Sequence, residues 1–207
     1  MSDWSAAVLA GGRGRRLGGV VKPLLTIDGR TILDRQRAAL AGLGETPRLV
    51  APDATPFAGC GLVVTTDLVD AGALGALYTA LATATTPYVL AIAGDLPFVT
   101  APFLAALVER RHEADAVIPS PGGRPQPLCA VYATSVAPVL AAAITAGRLR
   151  VIDAVASLRA RVLDDTALAA FDADGRLLLN VNTRDDEAAA RRFAGEGKRH
   201  DAPTRVT

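Results

Sequence analysis

The sequence is poor in the residues that most often carry chemistry on their own. It holds two histidines, His112 and His200. The first falls at an expected helix end and the second near the C-terminus, so neither a Ser-His-Asp triad nor a histidine-rich metal site is expected. It holds two cysteines, Cys60 and Cys129, each among apolar neighbours. Such a pair makes neither a disulfide framework nor zinc-ligand spacing, and both are expected to be reduced, buried thiols. A formal net charge of +1 gives no one-signed field. That argues against nucleic acid or a membrane surface as partner. The basic stretch Lys198–Arg199–His200 is short and reads as part of a solvated tail. No apolar run reaches the ~20 residues of a membrane span. Asp3 and Trp4 precede only a short apolar strand, so no signal peptide is expected. These absences point to a soluble, cytoplasmic protein. Aromatic residues make up only 4% of the chain.

Small aliphatic residues are abundant. Half of the 207 residues are hydrophobic, mostly Ala, Val and Leu, enough for one ordinary domain with helices packed on a sheet. Strand-like runs are expected at 6–10, 48–51, 62–66, 88–93, 116–119, 128–132 and 177–181. Helices are expected at 31–43, 73–83, 102–112, 136–146, 152–158 and 185–193. The run 88–93 is continuously apolar, as a strand buried on both faces should be. Alternating strands and helices with buried strands imply an α/β fold, a single three-layer Rossmann-like domain with a mostly parallel sheet over residues 1–195. Residues 196–207 are expected to form a disordered tail. Ligands of such sheets sit beyond the carboxyl ends of the strands, so the residues that follow each strand carry the functional reading.

After the first strand come Gly11 and Gly12, then Arg16 and Lys22. Adjacent glycines let the backbone approach a ligand and turn N–H groups towards it. Arg16 and Lys22 add fixed positive charge, and together these make a triphosphate cradle. The plainer reading is a Gly-rich turn with solvated arginines. The Rossmann fingerprint fails because Leu17 stands where its third glycine should be, and no Walker Gly-Lys-Ser/Thr occurs. Gly94-Asp95 follows the run 88–93. A carboxylate there, beside a phosphate loop, is placed to hold Mg²⁺ on phosphate oxygens, and turn chemistry is the alternative. Asp67 and Asp70 follow the third strand. Either could accept hydrogen bonds from the N1–H and N2–H₂ edge of guanine, or cap the next helix. Asn180 and Asn182 end the last expected strand, where only one of two alternating side chains can face a site. The other, or Thr183, would cap the following helix.

The segment LAGGRGRRLGGVVKPLL resembles the signature of nucleotidyltransferases of the molybdenum-cofactor guanylyltransferase type. DLVDAGALGAL, GDLPFV, RPQPLCAVY and LNVNTRDD extend the likeness, in the family's order, from about residue 6 to residue 187. Leu-Ala-Gly-Gly and Asn-x-Asn-Thr resemble the guanylyl branch, where the cytidylyl relatives usually carry Leu-Ala-Ala-Gly. The resemblance implies a Rossmann-like fold and transfer of GMP from Mg·GTP to the terminal phosphate of molybdopterin, with release of pyrophosphate. It implies that Leu9, Ala10, Gly11, Gly12, Lys22, Asp53, Asp67 and Asp95 bind the nucleotide, with Asp95 on Mg²⁺, and that Asn180 and Asn182 line the acceptor side. Arg16, Lys22 and Asp95 would be the catalytic set. GTP and molybdopterin are the expected partners, with molybdoenzyme maturation proteins as further ones and a monomer or weak oligomer as the state. The chain departs from the family pattern at Val21, where an acidic residue is usual, at Asp53 for an asparagine, and at Gln126 for a histidine. Two other functions share the motifs: a cytidylyltransferase or other phosphate-acceptor transferase, and a nucleotide-binding regulator without catalysis.

Overall fold

The structure is a computed structural model that describes residues 2–11 and 19–200, with residues 196–200 described as helical backbone only. The first strand, β1 (Trp4–Leu9), shows how the core is built. Successive side chains of a strand point to opposite faces. Ala6 and Val8 accordingly enter apolar clusters on one face of the sheet, and Ala7 and Leu9 enter the cluster on the other. A later strand, β6 (Tyr88–Ala93), divides in the same way, with Leu90 and Ile92 against Val89 and Ala91. Both strands are buried on both sides, which explains their unbroken apolar sequence.

A two-stranded hairpin, β2 (Thr26–Ile27) and β3 (Arg30–Thr31), leads into α1 (Ile32–Ala41). Then follow β4 (Arg48–Ala51), β5 (Val64–Thr66), α2 (Gly72–Ala82), β6, α3 (Ala101–Glu109), β7 (Ala116–Pro119) and β8 (Cys129–Ala133). The chain continues through α4 (Ala137–Thr145), α5 (Val151–Val155), β9 (Ala160–Leu163), α6 (Asp165–Leu168) and α7 (Arg184–His200). Seven strands form one sheet in the order β5-β4-β1-β6-β8-β7-β9. All neighbours pair in parallel except β8, which runs antiparallel to β6 and β7. Helices α2, α4 and α5 cover one face through Leu74, Leu77, Leu140 and Val151. Helices α1 and α3 cover the other through Leu33, Leu40, Phe103 and Leu107. The expected three-layer α/β architecture is present. Among the described residues no helix is long and apolar enough to cross a membrane.

The strand order decides where a ligand can sit. From β1 the chain moves outward to β4 and β5, then returns to the other side of β1 as β6. The outward crossover α1 and the returning crossover α2 lie on opposite faces, and the strand order reverses between β1 and β6, beyond whose carboxyl ends the ligands of such sheets sit.

The run 177–181 is not a strand; the expectation is corrected here. Leu177, Leu178 and Val181 are buried, but in a turn and loop. The Asp172 carboxylate accepts from the Arg176 and Leu177 N–H groups. Leu179 N–H closes a turn on Arg176 O, and Val181 N–H donates to Asp95 O at 2.9 Å. With the Leu177, Leu179 and Val181 N–H groups bonded in this way, the run pairs with no strand of the sheet. Cys60 is half-buried rather than buried; Cys129 is buried, and both are free thiols. Burial pushes the Cys129 thiol up to about 12.

The start of α7 is set by a reciprocal cap. The Thr183 hydroxyl accepts from Asp186 N–H at 3.1 Å, and Asp186 Oδ2 accepts from Asn182 and Thr183 N–H at 2.9 and 2.8 Å. The backbone bonds to Asn182 and Thr183, with the nearby Lys22 charge, hold the Asp186 carboxyl below its usual range. A lowered folded-state value means stability that is complete above the ordinary aspartate range and lost as the pH falls below it. Asp186→Ala is expected to cost about 1 kcal/mol at pH 7. In urea unfolding the difference from wild type should shrink as the pH falls below the ordinary aspartate range.

Candidate active site

Two strand ends and one short turn make the crevice. Ala10 N–H still bonds Val50 O at 2.7 Å, and Gly94 N–H bonds Leu9 O at 2.9 Å, so the backbones beyond β1 and β6 stay in contact. Lys22 opens a 3-10 turn, Lys22–Leu24, whose Pro23 is buried. Pro23 packs so close to Gly94 that a Cβ at position 94 would lie 2.5 Å from its Cγ and 3.1 Å from Leu9 O. Glycine is the one residue that fits between them. The result is a cavity of about 210 Å³. It is walled by Leu9, Ala10 and Gly11, by Ala93, Gly94 and Asp95, by Lys22 and Pro23, and by Ala73 and Ala76 of α2.

The polar wall of this cavity joins three distant segments. Lys22 Nζ donates to Asp95 Oδ2 at 3.1 Å and also to Asn182 Oδ1. Both members of the ion pair keep a little exposure, 16% and 17% of their side chains. They are sheltered but remain reachable from the cavity. Asp95 Oδ1 is buried and has no hydrogen-bond partner among the described residues. A buried carboxylate oxygen left unpaired is costly, and a cation or donor arriving from the cavity would satisfy it. Asn182 is fixed from behind by the Asp186 cap. Asn180 is not among the lining residues, and its amide donates to Leu178 O at 3.3 Å, within its own loop.

The other candidates lie in different settings. Asp67 follows β5, and its N–H bonds Ala51 O at 3.0 Å. Its Oδ1 is buried without a partner among the described residues, and burial together with the like charge of Asp70 pushes its carboxyl above the usual range. Asp70 does not cap α2: Ala71 holds that position and no side chain bonds there. Asp53 serves a turn, accepting from Thr55 N–H at 2.8 Å in an exposed position. That bond holds its carboxyl below the ordinary range. Gly12 and Arg16 lie outside the described residues. The cavity therefore gathers Leu9, Ala10, Gly11, Lys22 and Asp95, with Asn182 bonded to Lys22, while Asp53, Asp67 and Asn180 do not line it. Sequence reasoning passed over Gln36, which is fully buried behind the Asp95 turn. No motif marks it; only its polar type on the inner face of an otherwise apolar helix pattern could have drawn notice.

A switch-point crevice lined by a lysine, a carboxylate and close-packed backbone defines an α/β protein of the nucleotidyltransferase class. The chain belongs to the MobA-like NTP transferase domain family, whose model matches residues 6–166. Among curated relatives, a molybdenum cofactor guanylyltransferase of Desulfosudis oleivorans is 30% identical, over 90% of this chain and 93% of the relative. Another of Rhodopseudomonas palustris is 33% identical, over 91% and 93%. Among solved structures, molybdopterin-guanine dinucleotide biosynthesis protein A of Archaeoglobus fulgidus superposes with a TM-score of 0.80 at 25% identity, covering 93% of this chain and 99% of that one.

Proposed function

We propose that this chain transfers GMP from GTP to the terminal phosphate of molybdopterin and releases pyrophosphate. The observation that carries the reading is the Lys22 ammonium held between Asp95 and Asn182 at the switch-point crevice. The relatives' names supply donor and acceptor; the chemistry of the crevice suits both, since each brings phosphate to it.

An acceptor phosphate oxygen attacks the α-phosphorus in line. The bond from that phosphorus to the bridging oxygen of the β-phosphate breaks, and the electron pair leaves with pyrophosphate. No protein nucleophile is required, so positioning and charge neutralisation supply the rate. Lys22 offsets the charge that builds on the transferring phosphoryl and the leaving group. Gly11, and with it Gly12 and Arg16, are the proposed triphosphate contacts beyond β1, where Leu9 and Ala10 add wall. The unpaired Asp67 carboxylate is the proposed acceptor for the guanine N1–H and N2–H₂ edge, with Asp53 a second polar group on the nucleotide side. Asn182, and Asn180 beside it, are assigned to the acceptor side.

The donor set also fits a divalent cation of the hard, oxygen-seeking kind. Asp95 Oδ1 is a buried anionic oxygen without a partner among the described residues. Among the described residues no group of three or more His, Cys, Asp or Glu converges as a metal cage. Mg²⁺ suits such a site because it keeps several waters and takes one or two carboxylates plus substrate phosphates. Asp95 would hold it, and it would supply charge neutralisation at the phosphate oxygens. Residues 1–195 would act as one transferase domain in the cytoplasm, as a monomer or weak oligomer, with molybdoenzyme maturation proteins receiving its product.

Thermal melting with GTP or CTP, each with Mg²⁺, tests the donor. GTP at a hundredfold excess over its Kd should stabilise the protein by about 2.7 kcal/mol, while CTP leaves the melt near that of the free protein. Equal protection by both would remove the guanylyl assignment. Pyrophosphate release then separates an enzyme from a nucleotide-binding regulator.

A further inference from the structure

We infer that Gln36 is a positioning residue for the Asp95 turn, and through that turn for the cation and phosphates that Asp95 meets. The inference rests on the guanylyl-transfer reading above. Gln36 lies on α1 and is completely buried. Its amide nitrogen donates to Ala93 O at 2.7 Å and to Leu96 O at 3.1 Å. Those two carbonyls bracket Gly94 and Asp95. Two carbonyl acceptors settle which end of the amide faces the turn, because the opposite orientation would set oxygen against oxygen. The third carbonyl of the turn, Asp95 O, accepts from Val181 N–H at 2.9 Å. The turn is thus held from the α1 side by Gln36 and from the C-terminal loop by Val181.

The arrangement costs stability elsewhere. Gln36 Oε1 is itself buried without a partner among the described residues. A buried polar side chain with one end unsatisfied is a poor choice for packing alone, where an aliphatic residue of the same size avoids the loss. Its two donor bonds go to the backbone on either side of the one residue whose carboxylate bonds Lys22. A shift of about 1 Å in such a carboxylate is enough to lower a rate by ~10², and groups that orient metal ligands from behind typically change metal affinity or activity 10–100-fold when lost.

The test compares Gln36→Met with Leu40→Ala. Leu40 is equally buried on the same helix, one helical turn beyond Gln36, and packs against the same cluster as Ala93 and Leu96 without a hydrogen bond to the turn, so its truncation removes packing alone. Mn²⁺ affinity in the presence of GTP is followed by water-proton relaxation, below the melting temperature of every variant. Gln36→Met should bind Mn²⁺ at least tenfold more weakly than wild type, with kcat for GMP transfer falling in step and the KM for molybdopterin changing less than threefold. Leu40→Ala should stay within twofold of wild type in both. Affinity within twofold of wild type in Gln36→Met overturns the inference, as does an equal loss in Leu40→Ala. If Gln36→Met fails to fold, the isosteric Gln36→Glu replaces it. A carboxyl there can donate at most one bond, and none when ionised, so Mn²⁺ affinity should fall as the pH rises where wild type does not. A wild-type pH profile in that variant also overturns the inference. Wild type that binds Mn²⁺·GTP but transfers no GMP would instead refute the guanylyl-transfer reading and leave the role of Gln36 standing.

Discussion

Lys22→Ala is expected to lower GMP transfer by ~10²–10³-fold and to leave a folded protein with a cooperative melt. Lys22 contributes its ammonium to the crevice and little to the core: it sits on a three-residue turn, and the apolar anchor of that turn is Pro23. Its two bonds go to Asp95, which lines the crevice, and to Asn182. The loss should appear in kcat and kcat/KM alike, since the charge it offsets grows towards the transition state. Asp95→Ala should fall by a similar factor. The double variant should be little worse than either single one, because neighbouring groups that act as a unit do not add. Steady-state pyrophosphate release with GTP and molybdopterin gives these ratios. Near-wild-type turnover in either single variant would sink the site assignment.

The second large effect comes from a single methyl group. Gly94→Ala puts a carbon 2.5 Å from Pro23 Cγ and 3.1 Å from Leu9 O. Real side chains do not approach that closely, so Pro23 must move, and Lys22 with it. Overpacking of this kind costs about 1–3 kcal/mol. The activity loss should exceed what the lower stability explains, reaching ~10² if Lys22 shifts by about 1 Å. Assays well below the melting temperature separate the two. A Gly94→Ala protein of unchanged rate would mean that the Pro23 contact does not hold the lysine.

Much of the fold is legible in the sequence because burial on both faces leaves its mark. The strands β4, β6 and β7 have the bounds that their apolar runs suggest. Gly11, Lys22 and Asp95 could be picked out because an α/β sheet puts its ligands after its strands. Other elements left weaker marks. The apolar run at 177–181 reads as a strand, but a five-residue run cannot say where its backbone hydrogen bonds go. Here they go to turns and to Asp95. The edge strand β9 was missed because three of its four residues are exposed, so it shows no apolar run. The hairpin of β2 and β3 did carry a signal. Asp28-Gly29 is a two-residue turn pair, and both residues adopt positive φ, 50° and 77°. Gln36 could not be recognised, because its role depends on which carbonyls lie opposite it across the sheet edge.

The most direct test of the central claim follows a label rather than a rate. The protein is incubated with Mg²⁺, molybdopterin and GTP labelled at the α-phosphorus. The label should move onto molybdopterin, with one pyrophosphate released for each label transferred, and Lys22→Ala should largely abolish the transfer. Label that remains in GTP, or transfer that occurs only from CTP labelled in the same way, would contradict that claim.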